Sequence, residues 1–472
     1  MRRRTVRLAT IVVVLGGALM LGAGAAQAHP LGNFTINLYN GLTIGPRGVD
    51  VDHVVDMAEI PAFQERMRID TDGDGQIDAA ESATYVARAC AAAADGLTVT
   101  VAGAEITPSS EVAGSLALPP GAGGLSTLRL ECSLHADVSI RPGTAVAFRD
   151  DAETGRIGWH EVTAAGAGMT LARSDVPAIS PSGRLTSYPA DLLSSPLDQR
   201  SASIVAGEAA ATGPVPDADL ATAPIARGFG DRFTTAFASL VTTGGSSPLL
   251  WLLALATAFA IGGLHALGPG HGKTLMAAYL VGTDVRPRQV VAVGAAVSAM
   301  HTASVVALGL TVLVAGQAFT PEVAYRWTTL ASGGLVAILG AYLLVTRGRA
   351  VVHGRAHAHA HDHDHDHSHE PRPGRFGLAT LAVSGGILPS PSALIALLAA
   401  VAIGRLVFGL VLVLAFGMGL ATVLMGVGFG TIRMRDLMGR RLPGALATWA
   451  PIISAAGICL LGVALVARTA VA

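Results

Sequence analysis

Six apolar segments, at about residues 248–282, 289–316, 327–346, 376–404, 406–430 and 447–467, most constrain what this chain can fold into. A helix needs about 20 apolar residues to cross a bilayer, so each segment is long enough to span it once. With no water in the hydrocarbon core, the backbone must satisfy its own hydrogen bonds, and runs of this kind do so as helices. Charged residues make up only 14% of the chain, well under the roughly 25% usual for soluble domains. A net charge of −1 says little about partners, and nothing in the sequence suggests nucleic acid.

The amino-terminal half is of a different kind. Arg2, Arg3 and Arg4, an apolar stretch from Leu8 to Leu21 and the small-residue site Ala26-Gln27-Ala28 read as a signal peptide over residues 1–28, with His29 as the new terminus. That terminal histidine, with its free α-amine, is a candidate metal chelate. Export places the start of the first span outside. The loops that then face the cytoplasm hold eleven arginines, among them Arg286, Arg347, Arg433 and Arg440, against Arg326, Arg405 and Arg468 on the other side. This asymmetry follows the positive-inside rule independently of the signal peptide.

Residues 29–222 read as a small β-rich extracytoplasmic domain. Strand-like alternation runs over 33–40, 48–57, 97–101, 125–135 and 144–149. Within it, Asp70, Asp72, Asp74, Gln76, Asp78 and Glu81 occupy the ligand positions of a twelve-residue EF-hand-like loop, with Gly75 at the turn, and 58–68 and 79–94 can be helical on either side. Calcium is the ion that such a loop takes. Cys90 and Cys132 lie in the same domain and Cys459 in the last span, which predicts a Cys90–Cys132 disulfide contributing about 4 kcal/mol by loop closure. Over 223–247, Ile225, Phe229, Phe233, Phe237 and Leu240 recur at helical spacing, as in a helix lying on a membrane surface or on the domain itself.

In the membrane half, the first and fourth spans share a design: Gly262-Gly263-Leu264 followed by Pro269, and Gly385-Gly386-Ile387 followed by Pro389 and Pro391. Three spans per half (248–346 and 376–467) reverse the orientation of the second half. The fold expected is therefore an all-α polytopic membrane protein of six transmembrane helices in a 3+3 inverted repeat with paired broken helices, an arrangement that marks midplane sites in transporters. His265 and His271 flank the break of the first span, and His301 lies near the middle of the second, beside Ser298, Thr302 and Ser304. Ionisable groups at that depth face a cavity or a pathway, and imidazole suits nickel, cobalt, copper and zinc. Lys273 is the chain's only lysine, either a point charge beside the path or a snorkelling side chain. Gly272-Lys273-Thr274 suggests a phosphate loop, but Leu267 stands where that motif needs glycine, and no strand precedes it, so an ATPase is excluded and no enzyme is expected.

Residues 347–375 form a cytoplasmic loop in which His353, His357, His359, His361, His363, His365, His367 and His369 alternate in part with Asp362, Asp364 and Asp366. Such tracts gather metal by local ligand concentration. This one fits an efflux system loading from the cytoplasm, a storage loop behind an importer, or a membrane-bound sensor or buffer that moves no metal.

The stretch His265 to Thr274, with Ser298 to Thr302, the histidine tract and Ser384-Gly-Gly-Ile-Leu-Pro-Ser-Pro-Ser392, resembles the NicO/RcnA-type nickel and cobalt permease family over residues 248–467. The start His29-Pro-Leu-Gly-Asn-Phe34 is similar to relatives with an extracytoplasmic domain. The resemblance implies a multi-pass transporter of nickel or cobalt in the bacterial plasma membrane, with His265, His271 and His301 as pathway residues; Lys273, Ser298, Thr302, Pro389, Ser390 and Pro391 are the candidates for supporting that pathway. Ser390 stands where the family often has cysteine, which argues against a thiol ligand there. Imidazole chemistry does not separate nickel from cobalt, and no feature sets an oligomeric state.

Overall fold

A computed structural model describes residues 31–109, 114–152, 156–189, 191–193, 195–209, 248–267, 287–315, 321–356, 383–438 and 444–471. They fall into two compact units, one on each side of the stretch from 210 to 247. The signal sequence and the amphipathic segment 223–247 lie outside the described residues.

The first unit is β-rich. Strands β1 (Ile36–Gly45) and β2 (Gly48–Met57) form a hairpin with register Gly45 to Gly48, and an insert of two helices, α1 (Glu59–Ile69) and α2 (Ala79–Gly96), follows. Then come β3 (Leu97–Val101), β4 (Ala104–Ile106), β5 (Ser115–Ala117), β6 (Leu128–Asp137), β7 (Ala145–Asp150), β8 (His160–Gly166), β9 (Met169–Ser174) and β10 (Ser201–Ala209). They build two five-stranded sheets, ordered β5-β6-β2-β1-β8 and β4-β3-β7-β10-β9, with β1 and β8 parallel. Leu38, Leu42, Val51, Leu130 and Leu134 of the first sheet share one buried cluster with Val99, Phe148 and Ile204 of the second. Their period-two placement is the strand alternation seen in the sequence.

Five of the ten strands among the described residues, β4, β5, β8, β9 and β10, lie outside the alternating runs read from the sequence. The reason is plainest in β8, where His160 to Ala164 are all buried because the segment around Trp159, Leu185 and Tyr188 covers the sheet's other face. A strand buried on both sides shows no in-out pattern. Its polar members are held by partners: Glu161 accepts from Trp159 Nε1 at 2.7 Å, and Thr163 shares a 3.0 Å bond with Tyr39.

In the second unit, α3 (Pro248–Leu267), α4 (Pro287–Ala315), α5 (Pro321–Ala356), α6 (Pro391–Ala402), α7 (Leu406–Met438) and α8 (Gly444–Val471) follow in order. Helix α6 begins on Pro391, which is suited to a first helical position because its missing N–H would have no partner there. Among the described residues, four stretches are long and apolar enough to cross a membrane: Pro248–Leu267, Pro287–Val314, Val323–Thr346 and Leu406–Arg433. Pro391–Ala402 and Ile452–Ala467 are shorter apolar helices. The unit is that of a polytopic membrane protein. Helix α5 extends past both ends of its apolar segment, since apolar length reports bilayer thickness and not where backbone bonding stops.

Small residues set how closely these helices approach. A Cβ on Gly262 of α3 would overlap the carbonyl oxygen of Phe416 in α7, and one on Gly419 of α7 would overlap that of Phe259 in α3. Gly340 of α5 and Gly462 of α8 meet the backbone of Cys459 and Ala337 in the same way. In lipid, where apolar burial drives no association, such backbone contact is what holds helices together.

Candidate functional site

His301 stands midway along α4 and is 4% exposed. His265 lies in the last turn of α3, and the two rings have centroids 5.6 Å apart. Phe416 of α7 completes the group, 5.9 Å from His301 and nearly parallel to it, and 5.5 Å from His265. Three helices thus bring two imidazoles and a phenyl ring to one place. His271 and Lys273 lie outside the described residues.

The neighbours of His301 along α4 fix its rotation. Ser298 Oγ donates to Gly417 O at 2.5 Å, and a Cβ on Gly417 would come within 2.5 Å of Thr302 Oγ1, so α4 and α7 cross with only a hydrogen atom on the α7 side. Ser298 and Thr302 therefore serve as packing and bonding groups at the crossing.

The fourth apolar segment is interrupted. Residues 383–386 are helical, 387–390 are not, and α6 restarts at Pro391 with Ser390 as its N-cap, its side chain accepting from Ala393 N at 3.3 Å. Pro389 and Pro391 supply no N–H, so the helix cannot run through them. Ser390 is buried, and Pro389 O accepts from Tyr325 Oη at 2.6 Å. Gly386 packs on α4: a Cβ there would sit 2.5 Å from Val297 O and 3.0 Å from His301 N. The break therefore abuts the turn that carries His301.

Of the histidine tract, His357, His359, His361, His363, His365, His367 and His369 lie outside the described residues, while the backbone of His353 belongs to the last turns of α5.

In the β-rich unit, the loop between α1 and α2 holds carboxylate oxygens of Asp70, Asp72 and Asp74 within 4.8 Å of one another. Asp70 accepts from Gly73 N at 2.8 Å and Gly75 N at 2.9 Å; both glycines have positive φ, +75° and +80°, where a side chain would be strained. Asp74 accepts from Gln76 N at 2.6 Å. Glu81 and Asp78 form a capping box at the start of α2. The N–H groups of Thr71 and Asp78 on its carboxylate hold Glu81 below the usual carboxylate range. An all-oxygen set of this kind fits a hard cation. Cys90 of α2 and Cys132 of β6 are joined by a disulfide.

Phe416, Tyr325 and Ser332 escaped the sequence reading. Phe416 is one apolar residue in a continuous apolar run, and Tyr325, at the edge of a span, reads as an interfacial aromatic; neither carries a signal of its position.

The family model described as a high-affinity nickel-transport protein matches residues 250–380. The chain is 30% identical over 220 residues to a candidate nickel/cobalt efflux system of Methanocaldococcus jannaschii, an alignment covering 47% of this chain and 95% of that protein. It is 28% identical over 269 residues to the nickel/cobalt efflux system RcnA of Escherichia coli K12, covering 48% and 95%. No solved structure matches the chain.

Proposed function

Because the chain belongs to the NicO/RcnA-type nickel/cobalt permease family, we propose that it exports Ni2+ or Co2+ across the plasma membrane, handing the ion between imidazoles on broken helices. The observation that carries this reading is the pairing of His265 and His301, whose ring centroids are 5.6 Å apart on different helices. His271 joins them as a third transient ligand, and Lys273 repels the ion between binding events. Imidazole nitrogens are effective donors for these ions, and only when unprotonated, so proton entry from one side can release the metal. The relatives named as efflux systems support the outward direction.

In this reading six helices span the membrane, the fourth being the interrupted pair around 387–390, in a 3+3 inverted repeat. The first and fourth spans support the repeat, since Gly262 packs on α7 as Gly386 packs on α4. Residues 1–28 are a signal peptide, 29–222 an extracytoplasmic domain, and 223–247 an interfacial helix. The loop 347–375 gathers cytoplasmic metal on its histidines. A Cys90–Cys132 disulfide suits an oxidising compartment, and Asp70, Asp72, Asp74, Gln76, Asp78 and Glu81 hold Ca2+ as a clip between α1 and α2.

Cell-associated nickel and cobalt in metal-sensitive bacteria test the reading. The intact chain is expected to lower both, and His301→Ala to abolish the effect. Raised metal would reverse the direction, and a loss of effect on deleting 353–369, with His301→Ala still active, would leave a buffer in place of a transporter.

A further inference from the structure

We propose that Ser304, Ser332 and Tyr325 set which ions the pathway admits, by occupying carbonyl oxygens of the interrupted fourth span; the proposal rests on the transport reading above. The break leaves carbonyl groups without the N–H that a continuous helix would bring. Pro389 and Pro391 cannot donate to Gly385 and Ile387, and Ala393 N turns to Ser390 Oγ. Three oxygens of this stretch receive hydroxyl groups from elsewhere instead. Ser332 Oγ donates to Ser384 O at 2.8 Å, Ser304 Oγ to Gly386 O at 3.2 Å, and Tyr325 Oη to Pro389 O at 2.6 Å. The donors come from two helices, α4 and α5, and Ser332 is 1% exposed.

Ser304 Oγ also lies 2.8 Å from His301 O, so its one hydrogen is shared between the turn of the imidazole and the break.

Ligand chemistry gives this arrangement a consequence. Backbone carbonyl oxygens are hard donors, and where a broken helix leaves them open inside a membrane protein they bind hard cations. Magnesium and manganese favour such oxygens, whereas nickel and cobalt are well served by imidazole nitrogen. A carbonyl oxygen drawn to a protein hydroxyl is a weaker and less accessible ligand. Covering Ser384, Gly386 and Pro389 withdraws three oxygens of the break, those of Gly385 and Ile387 excepted, and so shifts the balance beside His301 towards nitrogen and against hard divalent ions. The three hydroxyls are positioning residues, since they act through the carbonyls and not on the ion.

Purified full-length protein in liposomes provides the test, with Co2+ flux followed against Mg2+ or Mn2+ as competitor. In Tyr325→Phe, Ser304→Ala and Ser332→Ala, the competitor concentration that halves Co2+ flux is expected to fall by about tenfold relative to wild type. Ser332→Thr, which keeps a hydroxyl, is expected to restore the wild-type value. The quantity is a ratio read on the molecules that transport, so a smaller folded fraction cancels. Lower Co2+ flux with unchanged competition would overturn the proposal and leave the hydroxyls as packing groups. A wild-type chain that moves neither Ni2+ nor Co2+ would remove the transport reading and this proposal with it.

Discussion

Phe416 lies over His301 with ring centroids 5.9 Å apart and planes 15° from parallel. The same phenyl ring meets His265, so it flanks the space between the two imidazoles. The ring is 5% exposed and packs with Val305, Leu397 and Val413, which keeps it in one place.

A buried phenyl ring beside polar groups excludes water, and Phe416→Ala is expected to break that seal at a stability cost of about 3–5 kcal/mol. Proton leak in metal-free liposomes, followed with an entrapped pH dye, should rise in Phe416→Ala and stay low in Phe416→Leu. A leak equal to wild type in the alanine variant would dismiss the ring as a seal.

Gly386→Ala places a methyl group 2.5 Å from Val297 O and 3.0 Å from His301 N, against backbone that cannot swing aside. The break must then move away from the turn that carries His301. Cobalt transport is expected to fall by about tenfold or more, as small misplacements of reacting groups do in enzymes. Gly426→Ala is the control, since a Cβ there has no neighbour within 4 Å. Equal transport by the two variants would show that the approach of the break to α4 is not required.

In the β-rich unit, burial pushes the His160 imidazole down to about 4, and the nearby Arg200 guanidinium adds to the effect, against Asp198 and Asp150, which act the other way. Arg200 Nη2 donates to His160 Nε2 at 2.8 Å, a bond that needs that nitrogen unprotonated, while Nδ1 lies 3.0 Å from Asp198. Burial also lowers His53, whose ring bonds Asn40. The unfolded chain takes up protons near pH 6.5 and the folded unit only nearer pH 4. Stability is thus full above pH 6.5 and declines as pH falls towards 4, by up to about 3 kcal/mol for His160. Thermal unfolding of residues 29–222 across that window checks this, and His160→Gln should flatten the slope; an unchanged slope would assign it to other groups.

Much of the β-rich unit was legible because its information is local. The capping pair Asp78 and Glu81 marks where α2 begins, and the alternation in β3 and β6 is the direct print of one buried face. What was illegible followed from layers that cover a strand twice. Glu161 reads as a surface residue until Trp159 is seen to bond it in the interior.

The amino-acid sequence by itself determined that residues 248 onward cross a membrane, that prolines interrupt the fourth segment, and that histidines sit within apolar runs, since each follows from composition and spacing along one stretch of chain. Only the tertiary structure decided that His265 meets His301, that Phe416 packs on both, and that Tyr325, Ser304 and Ser332 reach the carbonyls of the break. The physical reason is the solvent. A helix in water shows its core by a polar opposite face, whereas in a bilayer the lipid-facing and protein-facing sides are both apolar. Rotation and partner choice are then set by where glycines let backbones touch and where a hydroxyl finds a carbonyl, and neither leaves a period in the sequence.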